Sequence, residues 1–183
     1  MLMKIETTSL PGVKLLSPEF HADERGYFLE NVNLRQLRAA LALPDLAFVQ
    51  ENLSQSQHGV LRGLHFQRAP YAQGKLISVT AGEVFDVAVD IRRDSATFGQ
   101  WTGAILSARN RRLLWIPPGY AHGFLVLSGS ADCLYRTTSY WHAPAEGSIR
   151  WNDPALAISW PLSVPPMLSA RDQAAPLLRD ALL

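Results

Sequence analysis

Apolar side chains alternate with other residues over many short stretches from about residue 75 onward, and this period of two constrains the fold more than any other feature. In the clearest stretch, 83–91, the alternating row is Phe85, Val87, Val89 and Ile91. Similar stretches are 75–79, 99–106, 112–116, 123–127, 132–140 and 148–151. Twelve glycines and twelve prolines punctuate the sequence. Many short strands at short spacing predict an antiparallel β-sandwich or β-barrel.

The rest of the chain adds few elements to this β pattern. One helix is predicted over residues 34–43, with Asn33 as its N-cap and Pro44 as its stop. The length of 183 residues suits a single domain, 1–183. The Pro-rich and weakly helical segment 161–183 is expected to be a C-terminal strap over the barrel rather than a second domain.

Composition excludes several classes of protein. Hydrophobic residues make up 48% and charged residues 18% of the chain, which is typical of a soluble globular protein. Seventeen basic and sixteen acidic residues give a net charge of +1, which argues against nucleic-acid binding. The sequence has no signal-peptide core and no apolar run of the roughly 18 residues that a membrane span needs. We therefore expect a cytoplasmic protein without nucleic-acid or membrane partners.

The only cysteine, Cys133, cannot form an internal disulfide, which favours a reducing compartment. It lies in an apolar run, so we interpret it as a buried structural thiol. Asp86 and Asp90 lie on the side of stretch 83–91 opposite the apolar row. The simpler interpretation is that both face water. In the alternative, their side lines a wet barrel interior and Asp86 orients a catalytic group.

Two histidines raise the question of a metal site. Pro117, Gly119 and His122 form a Pro-x-Gly-x-x-His element that resembles the second metal motif of cupin barrels. The first cupin motif needs a second histidine two residues after the first, but His65 is followed at that position by Gln67, a poor ligand. The sequence therefore predicts a metal-free pocket in which His65 is available as an acid or base.

Other polar and aromatic side chains could complete such a pocket. Lys75 could stabilise an oxyanion, and Arg25 and Arg62 could bind phosphate with their guanidinium groups. Tyr135 could exchange a proton, and Tyr140 or Trp141 could stack on a base. Each of these residues alone is more often a surface or core residue. From residue types and spacing, the set only suggests proton transfer on an anionic substrate with an aromatic group.

Longer motifs are specific. The segments concerned are Asp23–Glu30 (DERGYFLE), Phe48–Ser54 (FVQENLS), Gly59–Gln67 (GVLRGLHFQ), Gln73–Leu76, Gly82–Arg92, Trp115–Phe124 (WIPPGYAHGF), Tyr135–Thr138, Arg150–Pro154 and Leu168–Asp172. They resemble, in the same order, the motifs of the dTDP-4-dehydrorhamnose 3,5-epimerase family. The resemblance extends from about residue 10 to about residue 172.

The resemblance implies a mainly β, cupin-type antiparallel barrel (jelly roll) with a few short helices, a homodimer, and no metal or other cofactor. It implies inversion of C3 and C5 of dTDP-4-dehydro-6-deoxyglucose through an enolate, giving dTDP-4-dehydrorhamnose for dTDP-rhamnose synthesis. His65 matches the family's base and Asp172 the carboxylate that orients it. Lys75 matches the enolate stabiliser and Tyr135 the acid on the opposite face of the sugar.

The resemblance also implies a set of substrate-binding residues. They are Arg25, Phe28, Glu30, Gln50, Asn52, Arg62, His122, Tyr140, Trp141, Glu146 and Arg171. Three other functions are weighed against the double epimerase. They are an epimerase that inverts only C3 or C5 in secondary metabolism, a cupin that binds a sugar or nucleotide without catalysis, and an isomerase that moves the carbonyl. Tyr135 favours the full reaction, and an acid–base set argues against a mere binder.

Overall fold

The strands and helices of the computed structural model, which describes residues 3–183, are short and joined mostly by tight connections. The strands are β1 (Met3–Thr7), β2 (Lys14–Pro18), β3 (Phe20–Asp23), β4 (Gly26–Leu29), β5 (Gln50–Gln57), β6 (Leu61–Gln67), β7 (Lys75–Ala81), β8 (Glu83–Asp90), β9 (Trp101–Ser107), β10 (Leu113–Ile116), β11 (Tyr120–Val126), β12 (Ser130–Thr137) and β13 (Glu146–Ser148). The α-helices are α1 (Leu34–Leu41) and α2 (Ala170–Gln173), and 3₁₀ turns span Ala143–Ala145 and Leu178–Asp180.

The strands form two larger antiparallel sheets and one separate hairpin. The first sheet has the order β1-β2-β10-β7-β12-β5, and the second has the order β13-β6-β11-β8-β9. The hairpin consists of β3 and β4. The sheets form a jelly-roll-like sandwich, which confirms the predicted mainly β fold with few short helices. Among the residues described, the two sheets are hydrogen-bonded separately rather than as one closed barrel.

The interior between the sheets is apolar over most of its length. Both sheets contribute to it, with Ile77, Val79, Leu114, Cys133, Val84, Ala88, Leu106, Phe124 and Val126 among its members. Cys133 is fully buried, as predicted, and burial raises the pKa of its thiol to about 12. A thiol held in this form is a core side chain and a poor nucleophile.

The expectation that Asp86 and Asp90 face water is wrong, since both are fully buried. The reason is that β8 is covered on both faces. The alternating apolar row, which includes Val87 and Val89, packs against Leu178 and other residues of the C-terminal segment. The strand's other face, with Asp86 and Asp90, therefore points into the protein, and period-two alternation alone does not say which face is inside.

Asp90 is buried in a dense set of hydrogen bonds. Its carboxylate accepts bonds from the side chains of Arg92, Ser95 and Thr97. Burial raises the pKa of Asp90, but these donors outweigh burial and hold the pKa below its usual range. Asp90 thus organises the connection between β8 and β9 and does not line the pocket described below.

Helix α1 begins as predicted, because the side chain of Asn33 accepts a hydrogen bond from the backbone N–H of Gln36 at 3.2 Å. The helix ends at Leu41, two residues before the predicted end, where Ala42 adopts a left-handed conformation. Its one buried side chain, Leu37, belongs to a cluster with Leu113 and Trp115 on the outer face of the first sheet.

The C-terminal segment covers the outer face of the second sheet. Val60 and Met167 form a bridge next to β6, and α2 lies just beyond it. That 161–183 serves as a strap of a single domain stays a prediction, which these contacts support. No helix among residues 3–183 combines the length and the apolar character required to cross a membrane.

Replacing Leu37 by alanine should leave a cavity under α1 and lower the free energy of unfolding by about 2–5 kcal/mol. Urea denaturation followed by circular dichroism measures the change. Leu43→Ala is the matched control, because Leu43 is partly exposed and follows the helix. Equal losses for the two variants would contradict the packing assigned to α1.

Candidate active site

A pocket of about 270 Å³ lies between the two sheets and contains most of the chemistry-bearing residues predicted from the sequence. Its lining residues are Asn52, Ser54, Arg62, His65, Gln73, Lys75, His122, Phe124, Tyr135, Thr137, Trp141 and Glu146. Strands β5, β7 and β12 of the first sheet form one wall, and β6, β11 and β13 of the second sheet form the other. The pocket therefore depends on the sandwich for its shape.

The register of β6 and β11 brings the two histidines of the pocket together. His65 and His122 are directly paired across these antiparallel strands, and a register shift follows His122. The strands approach closely beside them, because a Cβ at Gly63 would lie 2.6 Å from the Cα of Gly123. Gly63 also has a φ of +131°, which other residues rarely adopt. A side chain at Gly63 would push the histidine wall apart.

His65 and Asp172 form a hydrogen-bonded pair across 107 residues of sequence. The Nε2–H of His65 donates to Oδ1 of Asp172 at 2.6 Å. The imidazole is partly exposed, whereas the carboxylate is buried. Because Nε2 is directed at the carboxylate, Nδ1 is the ring nitrogen that is basic and able to accept a proton.

Ser169 fixes the position of Asp172. It is the N-cap of α2, and its hydroxyl accepts a bond from the backbone N–H of Asp172 at 3.1 Å and donates to Oδ2 at 3.0 Å. Burial raises the pKa of Asp172, but the bonds from His65 and Ser169 overcome burial and lower it. The carboxylate is thus ionised and can support an imidazolium at His65.

His122 forms a second, fully buried pair with Asp86. Its Nε2–H donates to both carboxylate oxygens, at 3.0 and 2.9 Å. Burial lowers the pKa of His122, and the positive charge of Lys75 lowers it further, against the opposing effect of Asp86. At neutral pH, His122 is therefore a neutral group held in one orientation. This arrangement supports the alternative interpretation of Asp86 as a residue that orients another pocket side chain.

Lys75 is the cation of the pocket. Its Nζ donates to the backbone carbonyl of His65 at 3.3 Å. Burial lowers the pKa of Lys75 to about 8, although the charges of Asp86 and Glu146 partly restore it. A lysine in this state is still largely charged at pH 7 and is poorly hydrated, which increases its effect on a developing negative charge.

Tyr135 projects from the wall opposite His65. It lies on β12 of the first sheet, and its hydroxyl is 2.8 Å from the hydroxyl of Ser54 on β5. Burial raises the pKa of Tyr135 well above its usual value. The phenol is therefore protonated throughout the physiological range and can act as an acid.

Several of the predicted binding residues lie at the rim of the pocket. Glu146 and Arg171 form an ion pair at 2.6 Å, and Arg62 donates to the hydroxyl of Ser56 at 2.9 Å. Gln50 does not line the pocket, but its side chain accepts a bond from the backbone of Trp141. Asn52, Arg62, His122, Trp141 and Glu146 are the predicted binding residues that line the pocket directly.

Other predicted binding residues lie elsewhere in this chain. Arg25 and Phe28 belong to the β3–β4 hairpin and line a different, shallow cavity, where Arg25 is paired with Asp23 at 2.6 Å. Glu30 accepts bonds from the side chains of Asn33 and Gln36. Tyr140 is mostly exposed outside the pocket. The substrate-binding roles of these residues stay predictions.

Sequence reasoning missed Ser54, Gln73, Phe124, Thr137 and Ser169. Alternation could have indicated Ser54, because Asn52 and Ser54 lie on the same face of β5 and Asn52 was a predicted binding residue. The pattern Ser169-x-x-Asp172 could have indicated Ser169, because it is typical of a helix N-cap. For Phe124, Thr137 and Gln73, no local pattern indicates that their strands and loop line one pocket.

The donor set of the described residues does not suggest a metal centre. Within 3–183, no group of three or more histidine, cysteine or acidic side chains is arranged to hold an ion. Each pocket histidine directs its Nε2 at a carboxylate instead.

Comparison with known proteins identifies the family of the chain. The family model described as dTDP-4-dehydrorhamnose 3,5-epimerase matches residues 7–180. The chain belongs to this family. The predicted family membership and the prediction of an epimerase are confirmed.

Individual relatives cover nearly the whole chain. A dTDP-4-dehydrorhamnose 3,5-epimerase from Salmonella typhimurium is 54% identical over 182 residues, which is 100% of this chain and 99% of the relative. The structure of a 3,5-epimerase from Legionella pneumophila in complex with dTDP-4-keto-L-rhamnose is 52% identical, with a TM-score of 0.94 and coverage of 98% and 94%. The 3'-monoepimerase ChmJ from Streptomyces bikiniensis, in complex with dTDP-quinovose, is 33% identical, with a TM-score of 0.89 and coverage of 94% and 86%.

The burial of Lys75 predicts a titration midpoint of about pH 8 for its ammonium group. Because burial disfavours the charged form only in the folded protein, the unfolded chain binds more protons above that pH. The contribution of Lys75 to the free energy of unfolding should therefore increase as the pH rises from about 8 to 10.5. NMR of ¹³C-labelled lysine measures the midpoint, and Lys75→Met identifies the signal. A midpoint near 10.5 would rule out the burial described here.

Proposed function

We propose that this protein inverts both C3 and C5 of dTDP-4-dehydro-6-deoxyglucose and releases dTDP-4-dehydrorhamnose for dTDP-rhamnose synthesis. The observation that carries the proposal is a pocket with a His65–Asp172 pair on one wall and Tyr135 on the facing wall. Inversion at a carbon needs a base on one face of the sugar ring and an acid on the other. The family relationship supports the same reaction.

The base in this proposal is Nδ1 of His65. C3 and C5 are both α to the C4 ketone, so removal of either proton leaves an enolate with its charge on O4. The proton moves to His65, and Asp172 stabilises the resulting imidazolium. Lys75 donates to O4, and a preorganised donor of this kind typically contributes about 3 kcal/mol to transition-state stabilisation.

Tyr135 is the proposed acid. Its phenol proton passes to the opposite face of the carbanion carbon, and the new C–H bond has the inverted configuration. The hydroxyl of Ser54 is hydrogen-bonded to Tyr135 and can relay a proton back to the phenolate. His65 returns its proton to solvent, so the enzyme is restored and one solvent hydrogen enters the sugar at each inverted carbon. No resident cofactor is part of this mechanism.

Nucleotide binding is assigned to the rim of the pocket. Arg62 and Arg171 supply positive charge for the diphosphate, and Glu146 and Asn52 supply hydrogen-bonding groups. Trp141 offers an exposed aromatic face for the base. A location in the cytoplasm also belongs to the proposal, since the single cysteine favours a reducing compartment.

A homodimer would give the remaining predicted binding residues a role. The β3–β4 hairpin is a sheet of its own with exposed Tyr27 and Phe28, and Arg25 near its tip is paired only with its neighbour Asp23 among the contacts described. Exposed aromatic side chains of this kind favour burial against a partner. We infer that the hairpin completes the pocket of a second copy with Arg25 and Phe28, and that Glu30 and Tyr140 help to bind the nucleotide at that junction.

The reaction is tested by hydrogen exchange in deuterated water. Incubation with dTDP-4-dehydro-6-deoxyglucose should place deuterium at both C3 and C5, as read by NMR, and addition of the matching reductase with NADPH should yield dTDP-rhamnose. His65→Asn should slow exchange by about 100- to 10,000-fold. The exposed His58 provides the control His58→Asn, for which the rate should not change.

Label at one carbon only would contradict double inversion. It would favour the second candidate function, an epimerase that inverts a single centre. The similarity to the 3'-monoepimerase ChmJ supports this second candidate.

The dimer proposal is tested with hybrid enzymes. Arg25→Ala and His65→Asn chains, each nearly inactive alone, are co-expressed with different tags and the mixed dimer is purified. If the hairpin serves the partner's pocket, the Arg25→Ala chain keeps its own His65 and receives Arg25 from the other chain. One of two sites is then intact, with about half the wild-type rate. A hybrid no more active than its parents, or a monomeric mass by light scattering, would refute the arrangement.

A further inference from the structure

Four consecutive residues at the rim of the pocket, Ser139–His142, are held by the side chains of three glutamines. This segment follows β12 and precedes the 3₁₀ turn at Ala143–Ala145, and it has no regular secondary structure. Its backbone groups therefore need other partners, because unpaired backbone polar groups are costly when they are buried. The segment carries Trp141, which lines the pocket.

The central glutamine is Gln67, whose side chain is buried. Its amide nitrogen donates to the carbonyl of Tyr140 at 3.2 Å and to that of Tyr71 at 2.7 Å. Its amide oxygen accepts the backbone N–H of His142 at 2.6 Å. One side chain thus ties two residues of the rim segment to a neighbouring loop.

Gln50 and Gln73 hold the two remaining residues. The backbone N–H of Trp141 donates to the side-chain oxygen of Gln50 at 2.9 Å, and the side chain of Gln73 donates to the carbonyl of Ser139 at 2.8 Å. The ring of His142 also stacks on Tyr71, with centroids 3.8 Å apart and planes 6° apart. Each residue of the segment is therefore fixed at its backbone.

We call the three glutamines Gln50, Gln67 and Gln73 the clamp. The clamp holds the backbone of Ser139–His142 and leaves the indole ring of Trp141 accessible to a ligand. Trp141 is 57% exposed, although its own backbone and that of Tyr140 and His142 are held by hydrogen bonds. Holding a rim residue in place before binding lowers the conformational entropy lost when a ligand orders it. An amide can do this where a carboxylate or a lysine cannot, because the task requires a donor and an acceptor on one side chain.

We propose that Gln67, supported by Gln50 and Gln73, is a positioning residue that holds Trp141 in the orientation in which it stacks on the nucleotide base. The inference rests on the proposed function, since it takes the ligand to be a dTDP-sugar. Gln67 lies two residues after His65 on the same face of β6, so one strand supplies both the proposed base and the anchor of the nucleotide platform.

The test compares Gln67→Met with Trp141→Ala. Isothermal titration calorimetry with dTDP measures binding without catalysis, and each variant should weaken it about tenfold, the size expected for loss of one base–aromatic stack. KM for the sugar nucleotide should rise by a similar factor while kcat changes much less. In the Trp141→Ala background, Gln67→Met should cause little further loss, because the two residues act through one contact.

A second variant and a spectroscopic signal keep the result interpretable. Gln67→Glu keeps the acceptor for His142 but places a carboxylate against the carbonyls of Tyr71 and Tyr140, so its dTDP affinity should be no higher than that of Gln67→Met. In protein labelled with 5-fluorotryptophan, the ¹⁹F signal of Trp141, one of five tryptophans, should shift or broaden in Gln67→Met while the other four stay in place. Gln57→Met, at an exposed position near the end of β5, is the control.

The outcomes separate the two proposals. If the wild type binds dTDP and Trp141→Ala weakens binding, but Gln67→Met does not, the clamp is refuted and the proposed function stands. Additive losses in the double variant would likewise refute it. If the wild type neither binds dTDP nor exchanges hydrogen in its sugar nucleotide, both proposals fail.

Discussion

Charges buried between two β-sheets have to be paired, and this requirement organises the interior of the protein. Asp86 is fully buried and receives hydrogen bonds from His122, and its charge acts on Lys75. Without that anion, burial would drive Lys75 further toward the neutral form. With it, the pocket keeps a cation of reduced pKa and a neutral, oriented histidine in the same small space. An unpaired charge there would cost more than the fold could offset.

The second pair of the interior depends on chain topology. Asp172 lies on the short helix α2, far from His65 in sequence, and reaches it because the C-terminal segment packs against the outer face of the second sheet. The apolar row of β8 (Val87 and Val89) supports this packing and therefore also helps to position His65, the proposed base. Ser169 completes the link, since it caps α2 and bonds the carboxylate. The orientation of His65 therefore depends on the stable packing of the C-terminal segment.

The sequence was informative wherever local chemistry decides structure. Alternation predicted β7 and β8, the N-cap predicted the start of α1, and an apolar context predicted a buried Cys133. It failed at Asp86 and Asp90, because alternation gives the period of a strand but not which face is covered, and the cover comes from a distant segment. Residue types suggested His65, Lys75 and Tyr135 as pocket residues, but their specific roles, and Asp172 altogether, came only from the family resemblance. Their convergence depends on strand register, which no local pattern encodes.

The two parts of the pocket are held by different means, and the difference follows from what each has to do. The groups proposed for proton transfer sit on paired strands, where ladder hydrogen bonds fix their positions, because proton transfer requires hydrogen-bond distances. Trp141 lies on an irregular segment that no ladder supports, so side-chain amides replace the ladder. Gln67 stands where a metal-binding cupin would have its second histidine. A side chain that is a poor metal ligand at this position therefore supplies the donor and the acceptor that hold the backbone of the rim.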